Sequence, residues 1–330
     1  MPAANVRSLR SASTLHRKFM FSISVPLAIA IDAATGEPET LWRRYGHPVT
    51  WFGALIDRLE QRLNRGYARR EKGIVALVAL IAATVFPALI VAAILDGLPG
   101  IFAVPLEAAL ASTLIAHRSL VQHVGAVANA ASLDGARQAL RRIVGREVTV
   151  LDEAGVARAG LESLSENLSD GVVAPILFFA IGGLPGLVLY KVVNTADSMI
   201  GHRSPRYEAF GWASARFDDL LNYIPARLTA AVTLFTAQRN IEGWDAVAVD
   251  ARKHVSPNAG WPESAFARVL GISLGGPRRY GSRMVDGAWI NESGAAPAMA
   301  DLSRGIRLSI RVGVLEAAAY VVLALVSAIF

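Results

Sequence analysis

Long apolar runs alternate with polar, charge-rich stretches along this chain of 330 residues. The apolar segments lie at residues 19–31, 73–95, 101–116, 172–193, 223–237 and 312–330. Residues 73–95 are the clearest case, with 23 positions and no charge. A helix rises about 1.5 Å per residue, so about 20 apolar residues cross a bilayer core of about 30 Å. The pattern therefore predicts a mainly α-helical, polytopic integral membrane protein.

Two of these segments depart from a simple membrane span. Residues 172–193 are interrupted at 182–186 by Gly-Gly-Leu-Pro-Gly, which favours two half-helices or a re-entrant hairpin over one straight helix. Residues 223–237 are only moderately apolar and contain Arg227. The number of crossings therefore stays open.

The rest of the sequence is polar enough to lie outside the bilayer. Residues 117–162 and 238–305 have a soluble character, and we expect them to be cytoplasm-facing helices and loops that form an active site. Because the chain contains no internal repeat and no low-complexity linker, the sequence predicts a single membrane-embedded catalytic domain over residues 1–330.

The first 31 residues allow two interpretations. Residues 1–18 are polar and basic, and residues 19–31 are apolar but short. This layout is typical of a cleaved signal peptide, and it also fits a retained membrane-associated helix.

Composition narrows the classes of function. Hydrophobic residues make up 53% of the chain, charged residues 18%, and the absence of cysteine excludes disulfides, thiolate zinc sites and cysteine nucleophiles. The formal net charge of +6 suits cytoplasmic loops that face anionic lipid, and a basic flank before residue 73 should be cytoplasmic. The basic residues lack interleaved aromatics, so nucleic-acid binding is not expected. We therefore expect a multi-pass protein of the inner (plasma) membrane.

The stretch from Ser163 to Gly171 concentrates polar groups directly before an apolar run. It holds two carboxylates, one amide and three hydroxyls within nine residues, and such groups are costly beside a membrane segment unless they have a function. Glu166 and Asp170 are four residues apart, so on a helix they share a face that could hold Mg²⁺. A solvated helix N-terminus, where acidic residues are favoured, is the alternative.

A second cluster lies at the end of this apolar run, at helical spacing. Lys191, Asn194 and Ser198 fall on one stripe of a helix, with Asp197 beside it and His202 just beyond. A lysine can neutralise phosphate, while aspartate and asparagine oxygens can bind a metal ion. The alternative is a membrane-interface helix whose lysine extends to water.

The third cluster lies at residues 211–222. Asp218 precedes Asn222 by four residues and Asp219 precedes it by three, which gives another face of carboxylates and an amide. Arg227 lies in the apolar segment that follows, and a charge in such a place is a functional candidate by default.

The fourth cluster is a loop at residues 254–263 that two prolines and a glycine fix. Its polar side chains are His254, Ser256, Asn258 and Glu263, and the alternative interpretation is the beginning of a helix near Glu263. The sequence contains no Walker-type phosphate loop, dinucleotide fingerprint or Gly-x-Ser-x-Gly nucleophile elbow.

Together these clusters resemble the adenosylcobinamide-phosphate synthases of cobalamin biosynthesis, the CobD/CbiB type, from Asp32 to about Gly281. The ordered markers are Asp32 with Gly36-Glu37-Pro38, His47-Pro48-Val49 with Gly53, Glu162-Ser163-Leu164-Ser165-Glu166-Asn167 with Ser169-Asp170-Gly171, Lys191 with Asn194-Thr195 and Asp197-Ser198-Met199, Gly211-Trp212-Ala213-Ser214-Ala215-Arg216 with Asp218-Asp219, Pro225-Ala226-Arg227, and Ser256-Pro257-Asn258-Ala259-Gly260. The family usually has Gly-Asp-Pro where this chain has Gly36-Glu37-Pro38. Because the markers begin directly after the first apolar run, they favour a retained N-terminal helix.

The resemblance implies an integral membrane ligase. The family joins the carboxylate of a corrinoid, adenosylcobyric acid, to the amine of (R)-1-aminopropan-2-ol phosphate (aminopropanol phosphate) through an amide bond. ATP is the expected co-substrate and Mg²⁺ the expected cofactor. The lipid bilayer is the expected surrounding, and whether the chain forms a homo-oligomer stays open.

On this interpretation the clusters divide into three sets of candidate residues. The candidate metal ligands are Glu166, Asp170, Asn194, Asp197, Asp218, Asp219 and Asn222. The candidates for phosphate contact or proton transfer are Lys191, Arg216, Arg227, His202 and His254. The candidate substrate-binding residues are His47, Ser165, Asn167, Ser169, Ser198, Trp212, Ser214, Ser256 and Asn258.

Two other functions share these features. A magnesium-dependent membrane prenyl- or phospho-transferase also places Asn and Asp clusters at a bilayer face, and the Asn194–Asp197 spacing suits a diphosphate. A non-catalytic membrane sensor on the same scaffold is the third hypothesis, although it would tolerate loss of the acidic residues that this chain retains.

Overall fold

Helices dominate the computed structural model, which describes residues 23–36, 39–237, 241–280 and 283–329. The helices up to the middle of the chain are α1 (Ile23–Thr35), α2 (Glu39–Tyr45), α3 (Pro48–Leu63), α4 (Arg69–Asp96), α5 (Gly100–Ser112), α6 (His117–Ala128) and α7 (Leu133–Leu140). They are followed by α8 (Glu153–Leu168), α9 (Ala174–Ala196), α10 (Trp212–Leu221), α11 (Tyr223–Thr236), α12 (Ile241–Ala251), α13 (Gly260–Leu270) and α14 (Met299–Ile329). The basic segment 1–18 and Glu37 lie outside the described residues.

The structure confirms the prediction of a mainly α-helical, polytopic membrane protein. Within the described part of the chain, four helical runs are long and apolar enough to cross a membrane: Arg69–Asp96, Gly100–Ala128, Glu153–Gly201 and Met299–Ile329. Helix α4 exposes large apolar side chains such as Val78, Phe86 and Ile94. An exposed apolar surface of this kind is what lipid covers.

The apolar part of the 153–201 run reverses direction at Gly183. This residue has φ 61° and ψ −158°, outside the helical region, and Pro185 follows at the start of the next helical stretch. The rings of Phe178 and Tyr190 stack with centroids 5.1 Å apart. Residues 12 apart on a straight helix would be separated by about 18 Å, so the two arms fold back on each other. The reversal lies inside the break that the sequence predicted at 182–186.

The apolar arms of this hairpin are short. Residues 172–182 and 184–193 are 11 and 10 residues long, so each extends about 15 Å, half of a bilayer core of about 30 Å. Each arm alone is therefore too short to cross the hydrocarbon core, as the re-entrant hairpin that the sequence predicts would require.

The chain divides into two compact units. The first contains the described residues up to Ile115, together with Pro175–Asp218 and the segment from Ala317 onward. The second contains Ala116–Ala174 and Asp219–Glu316.

Helix α11 belongs to the core of the second unit. Its buried Ala226, Ala230 and Leu234 recur every four residues, and the helix packs on α13. Ala230 and Leu234 join Val247 and Ala265 in an apolar cluster. With 14 residues, α11 extends about 21 Å, which is less than the hydrocarbon core requires. Burial against protein therefore explains the apolar residues on one face of α11, whereas Ile224 and Phe235 are exposed.

Among the described residues of the polar segment before α14, there are four very short strands. They are β1 (Leu274–Gly275), β2 (Arg278–Tyr280), β3 (Arg283–Val285) and β4 (Trp289–Ile290). β1 pairs antiparallel with β4, and β2 pairs antiparallel with β3. Strands of two or three residues leave no alternation in the sequence, so the apolar pattern did not reveal them.

Candidate functional site

Two of the polar clusters lie where a helix widens into a π-helical turn. Such turns occur at Ser169–Val173, after α8, and at Asp197–Gly201, after α9. Asp170 lies in the former, and Asp197 and Ser198 lie in the latter. Single π-turns inside α-helices are frequent at functional sites, because the extra residue redirects side chains. Helical periodicity in the sequence did not predict this change of spacing.

In the first unit, the end of α9 and helix α10 bring together an amide and a carboxylate. Asn194 Nδ2 donates a hydrogen bond to Asp218 Oδ1 over 3.3 Å. Asp218 is buried, with 8% of its surface exposed. These two candidate metal ligands, predicted from separate clusters, are therefore neighbours.

Asp197 lies against the backbone of its own π-turn. A Cβ atom at Gly201 would overlap Asp197 Oδ1, and it would also contact Ala215 of α10. Asp197 Oδ1 therefore occupies the space beside Gly201 that a larger side chain at position 201 would need. The π-turn and α10 thus carry both Asp197 and Asp218.

The other candidate site residues of the first unit differ in how far their side chains are exposed. Lys191 is half-buried, while Ser198, His202, Arg216 and Trp212 are exposed and Ser214 is buried. Ser198 donates its hydroxyl to the Asn194 carbonyl over 2.9 Å. The His202 ring packs edge-on against Tyr207, with centroids 4.8 Å apart.

His47 also belongs to the first unit, and its ring caps a helix. Its Nδ1 accepts a hydrogen bond from Val49 N over 3.2 Å at the N-terminus of α3. The ring also packs edge-on against Trp42. This contact gives His47 a structural role at the end of α3, beside the substrate contact that the sequence predicts.

In the second unit, the third and fourth clusters meet. Arg227 Nη1 donates to Asn258 Oδ1 over 3.3 Å, and Asn258 Nδ2 donates to the Asp219 carbonyl over 2.7 Å. The Arg227 guanidinium lies over the rings of Tyr223 and Trp261, at 3.6 and 4.6 Å from their centroids. Burial lowers the pKa of Arg227 from its usual value, although an arginine remains charged at neutral pH. The result is a cation fixed between two aromatic faces.

The loop before α13 is ordered by its own polar side chains. Ser256 Oγ accepts hydrogen bonds from Asn258 N and Ala259 N over 3.3 and 3.2 Å. His254 Nδ1 accepts from Ser256 N over 3.0 Å, and its Nε2 lies 3.7 Å from Glu263 Oε1. Helix α13 begins at Gly260, three residues before Glu263. Both the predicted loop and the helix start are therefore present.

At the end of α8, the buried Glu162 is a structural residue. It forms an ion pair with Arg146 over 2.6 Å and accepts a hydrogen bond from Gly275 N over 2.8 Å. The glycine-rich turn at 275–276 therefore presents one of its backbone N–H groups to this carboxylate. Ser165 is fully buried and donates to the Glu162 carbonyl within the helix.

Asn167 lines a cavity of about 420 Å³ in the second unit. The polar part of the lining is formed by Ser119, His123, Arg142 and Asn167. Asn167 Nδ2 donates to Ser163 O over 2.8 Å, which fixes the amide. No local sequence pattern connects Ser119, His123 and Arg142 to Asn167, so the sequence did not predict them as site residues.

The remaining acidic and hydroxyl candidates of the second unit differ in burial. Glu166 is exposed, Asp170 and Asp219 are half-buried, and Asn222 is buried. Ser169 is buried, and its hydroxyl has no hydrogen-bond partner within the described part of the chain. A buried hydroxyl without a partner is rare in folded proteins.

The donor set suits magnesium without forming a complete cage. Carboxylate and amide oxygens are the ligands Mg²⁺ prefers, and one or two carboxylates suffice when water and phosphate fill the other positions. Among the residues that the structure describes, no group of three or more His, Asp or Glu could hold a metal ion. Asn194 and Asp218 alone therefore do not make up a metal site.

Fold and polar clusters together define a polytopic helical membrane protein with carboxylate–amide groups beside its apolar segments. The CobD/CbiB protein family matches residues 25–309, which contain every cluster described above. The chain therefore belongs to the CobD/CbiB family, as the sequence predicted. No solved structure matches the chain.

Relatives named cobalamin biosynthesis protein CobD match most of the chain. The protein of Rhodobacter capsulatus is 50% identical over 293 residues, which cover 87% of this chain and 92% of that protein. The protein of Sinorhizobium fredii is 46% identical, covering 83% of this chain and 88% of its own length. That of Brucella suis is 44% identical, with 84% and 89% covered.

Proposed function

We propose that this chain acts in cobalamin biosynthesis as an ATP-dependent membrane ligase. The reaction joins the carboxylate of adenosylcobyric acid to the amine of (R)-1-aminopropan-2-ol phosphate through an amide bond. Membership of a family whose curated relatives are named for cobalamin biosynthesis supports the broader assignment. The ligase chemistry is our inference from the sequence resemblance and from the polar groups beside the apolar segments.

The reaction requires an activated carboxylate. A corrinoid carboxylate oxygen attacks the γ-phosphorus of ATP, the bond to the β–γ bridging oxygen breaks, and ADP leaves with an acyl phosphate formed. The neutral amine then attacks the acyl carbon, its extra proton goes to a base, and inorganic phosphate leaves. Phosphoryl transfer depends mainly on positioning and on charge neutralisation rather than on covalent catalysis.

Asn194, Asp197 and Asp218 are the residues of the first unit that would hold Mg²⁺. The ion neutralises charge on the phosphate oxygens of ATP when it is bound. The hydrogen bond from Asn194 to Asp218 and the close contact of Asp197 with Gly201 limit the rotation of these side chains. Fixed side chains suit a site whose role is positioning.

Arg227 is the residue of the second unit best suited to bind an anionic group. Its guanidinium lies over the rings of Tyr223 and Trp261 and donates a hydrogen bond to the Asn258 side-chain oxygen. Within the described residues, no carboxylate forms an ion pair with it. A planar, fixed guanidinium recognises phosphate or carboxylate oxygens through paired hydrogen bonds.

His202 is the better candidate for the base that accepts the amine proton. His254 Nδ1 already accepts a hydrogen bond from Ser256 N, and its Nε2 faces Glu263. His202 is exposed, and its imidazole makes no hydrogen bond within the described residues. Imidazole is the side chain that most often acts as a general base in catalysis.

Purified protein in detergent tests the assignment. With adenosylcobyric acid, aminopropanol phosphate, ATP and Mg²⁺, we expect adenosylcobinamide phosphate by mass spectrometry, with ADP and phosphate in equal amounts. With ¹⁸O in the corrinoid carboxylate, one label should appear in the phosphate. Release of AMP would contradict the acyl phosphate route. Turnover of a polyprenyl diphosphate instead would favour the transferase hypothesis, and ligand binding without any product would favour the sensor.

A further inference from the structure

We infer that a cavity beside the start of α4 binds a phosphate group, carried by a phospholipid headgroup or by a soluble phosphate ester. The cavity lies in the first unit and has a volume of about 470 Å³. Its polar lining comes from the end of α3, the start of α4 and the loop before α10: Glu60, Gln61, Asn64, Arg65, Arg69 and Arg206. The inference does not depend on the proposed ligase reaction.

The cavity is built on a two-point ion pair that connects distant parts of the chain. Arg206 Nε and Nη2 donate to the two carboxylate oxygens of Glu60, over 3.0 and 2.9 Å. Asn64 Nδ2 donates to Glu60 Oε1 over 2.8 Å and to the Arg206 carbonyl over 3.1 Å. Glu60 is buried, with 6% of its surface exposed. These bonds hold the lining in place before a ligand arrives.

The charges of the lining do not balance. Glu60 neutralises Arg206, whereas Arg69 donates only to uncharged acceptors: Asn64 Oδ1 over 2.7 Å, Pro205 O over 3.3 Å and the Arg206 carbonyl. Arg65 makes no side-chain hydrogen bond within the described residues. One carboxylate and three arginines leave two positive charges, which matches the one or two negative charges of a phosphate group.

The position of the cavity suits ligands at a membrane surface. Arg69, which lines it, is the first residue of the apolar helix α4. Tyr67, two residues earlier, is 92% exposed, and Arg70 lies 3.7 Å from the ring centroid of the exposed Trp212. Tyrosine and tryptophan collect at headgroup level, and basic segments there attract anionic lipid. A lipid phosphate and a dissolved phosphate ester can both reach this level.

Two variants test the cavity without removing its internal bonds. Arg65→Gln removes one of the uncompensated charges, and Gln61→Glu introduces a repelling carboxylate at nearly constant size. Neither side chain makes a hydrogen bond within the described part of the chain, so both variants should fold. Arg62→Gln is the matched control, because Arg62 is exposed on the same helix and does not line the cavity.

The measurement is the thermal unfolding of the full-length protein in detergent. One arm adds phosphatidylglycerol, with phosphatidylcholine as its control; the other adds inorganic phosphate, with chloride at equal ionic strength. We expect stabilisation of the wild type, with half-saturation shifted about 10-fold upward in Arg65→Gln and Gln61→Glu and less than twofold in Arg62→Gln.

The two titrations, with lipid and with inorganic phosphate, distinguish the two sources of the phosphate group. Stabilisation in the lipid arm alone identifies a phospholipid headgroup as the ligand, and stabilisation in the phosphate arm alone identifies a soluble phosphate ester. Equal losses in Arg65→Gln and Arg62→Gln would overturn the inference, because they would indicate general surface attraction. No stabilisation of the wild type in either arm would overturn it as well.

Discussion

The histidines of this protein show how identical side chains acquire different roles. His47 accepts a backbone hydrogen bond at the start of α3, and His254 accepts one inside the loop before α13. His202 is exposed and makes no hydrogen bond within the described residues. The sequence places His202 and His254 in polar clusters and His47 in one of the markers of the family resemblance. Which of them can meet a substrate depends on backbone groups nearby, and residue type does not reveal those.

Asp218→Asn tests the proposed metal and phosphate site directly. The amide keeps the size of the carboxylate and can still accept from Asn194, but it removes the negative charge. We expect ligase turnover to fall at least about 100-fold, with a raised Mg²⁺ requirement and an unchanged melting temperature. Asp57→Asn, an exposed position on α3, is the control and should keep wild-type turnover. Unaltered Mg²⁺ dependence in Asp218→Asn would remove Asp218 from the metal ligands.

Asp250 should give the stability of the second unit a measurable pH dependence. Burial alone would raise its pKa, but hydrogen bonds from Lys253, Asn291 N and Arg268 outweigh burial and hold the pKa below its usual value. The three bonds measure 2.7, 3.0 and 2.5 Å. A depressed carboxylate pKa stabilises the folded state above the ordinary value of about 3.9, and that contribution is lost as the pH falls through the folded pKa.

We therefore expect Asp250→Asn to destabilise the protein by about 2–3 kcal/mol at neutral pH. The difference in melting temperature between wild type and variant should stay constant above about pH 5 and shrink below about pH 4. A difference that is the same at every pH would mean that packing, rather than charge, explains the loss.

The sequence predicted helices best where a long segment is uniformly apolar. Residues 73–95 are such a segment, and α4 includes all of them. The apolar pattern of residues 223–237 is harder to interpret, because a helix buried in protein and a helix exposed to lipid both require apolar residues. The π-turns and the two-residue strands are defined by backbone hydrogen bonds, which do not require particular residue types. The sequence therefore did not predict them.

Gly183→Ala tests the hairpin in α9. The backbone of Gly183, at φ 61° and ψ −158°, occupies a region that is essentially restricted to glycine, so alanine should cost about 1–3 kcal/mol. Gly182→Ala is the matched control, since a Cβ there meets no atom within 4 Å. We expect a lower melting temperature only for Gly183→Ala. Equal melting temperatures of the two variants would mean that α9 does not need this reversal.

Contacts between residues that are far apart in the sequence determine which polar side chains lie close together. The Glu60–Arg206 pair connects residues 146 positions apart, and the Arg227–Asn258 hydrogen bond connects residues 31 apart. The sequence predicted membership of the clusters around Asp218 and Arg227, partly through family resemblance. It gave no sign of the cavity that Glu60 and Arg206 build, because neither residue stands in a recognisable local pattern.

The proposed topology can be tested by determining on which side of the membrane selected residues lie. The chain has no cysteine, so single cysteines can be introduced without background. We expect Glu166→Cys and Ser198→Cys, both exposed, to react with a membrane-impermeant maleimide from the same side of the membrane, because the apolar hairpin between them is too short to cross. Arg70→Cys, at the basic start of α4, should share the cytoplasmic side. Labelling of positions 166 and 198 from opposite sides would refute the re-entrant hairpin.

The number of residues in each π-turn should affect how the polar side chains near it are placed. Each residue of an α-helix advances the chain by about 100° around the axis, and a π-turn accommodates one residue more than an α-turn. Deleting a single position from Asp197–Gly201 would shorten the turn at which the chain leaves α9, and it would shift the segment that leads to α10. The hydrogen bond from Asn194 to Asp218, which connects α9 to α10, would then be lost although no functional side chain had been replaced. Alignments that tolerate one-residue gaps here would therefore join proteins with differently oriented carboxylates.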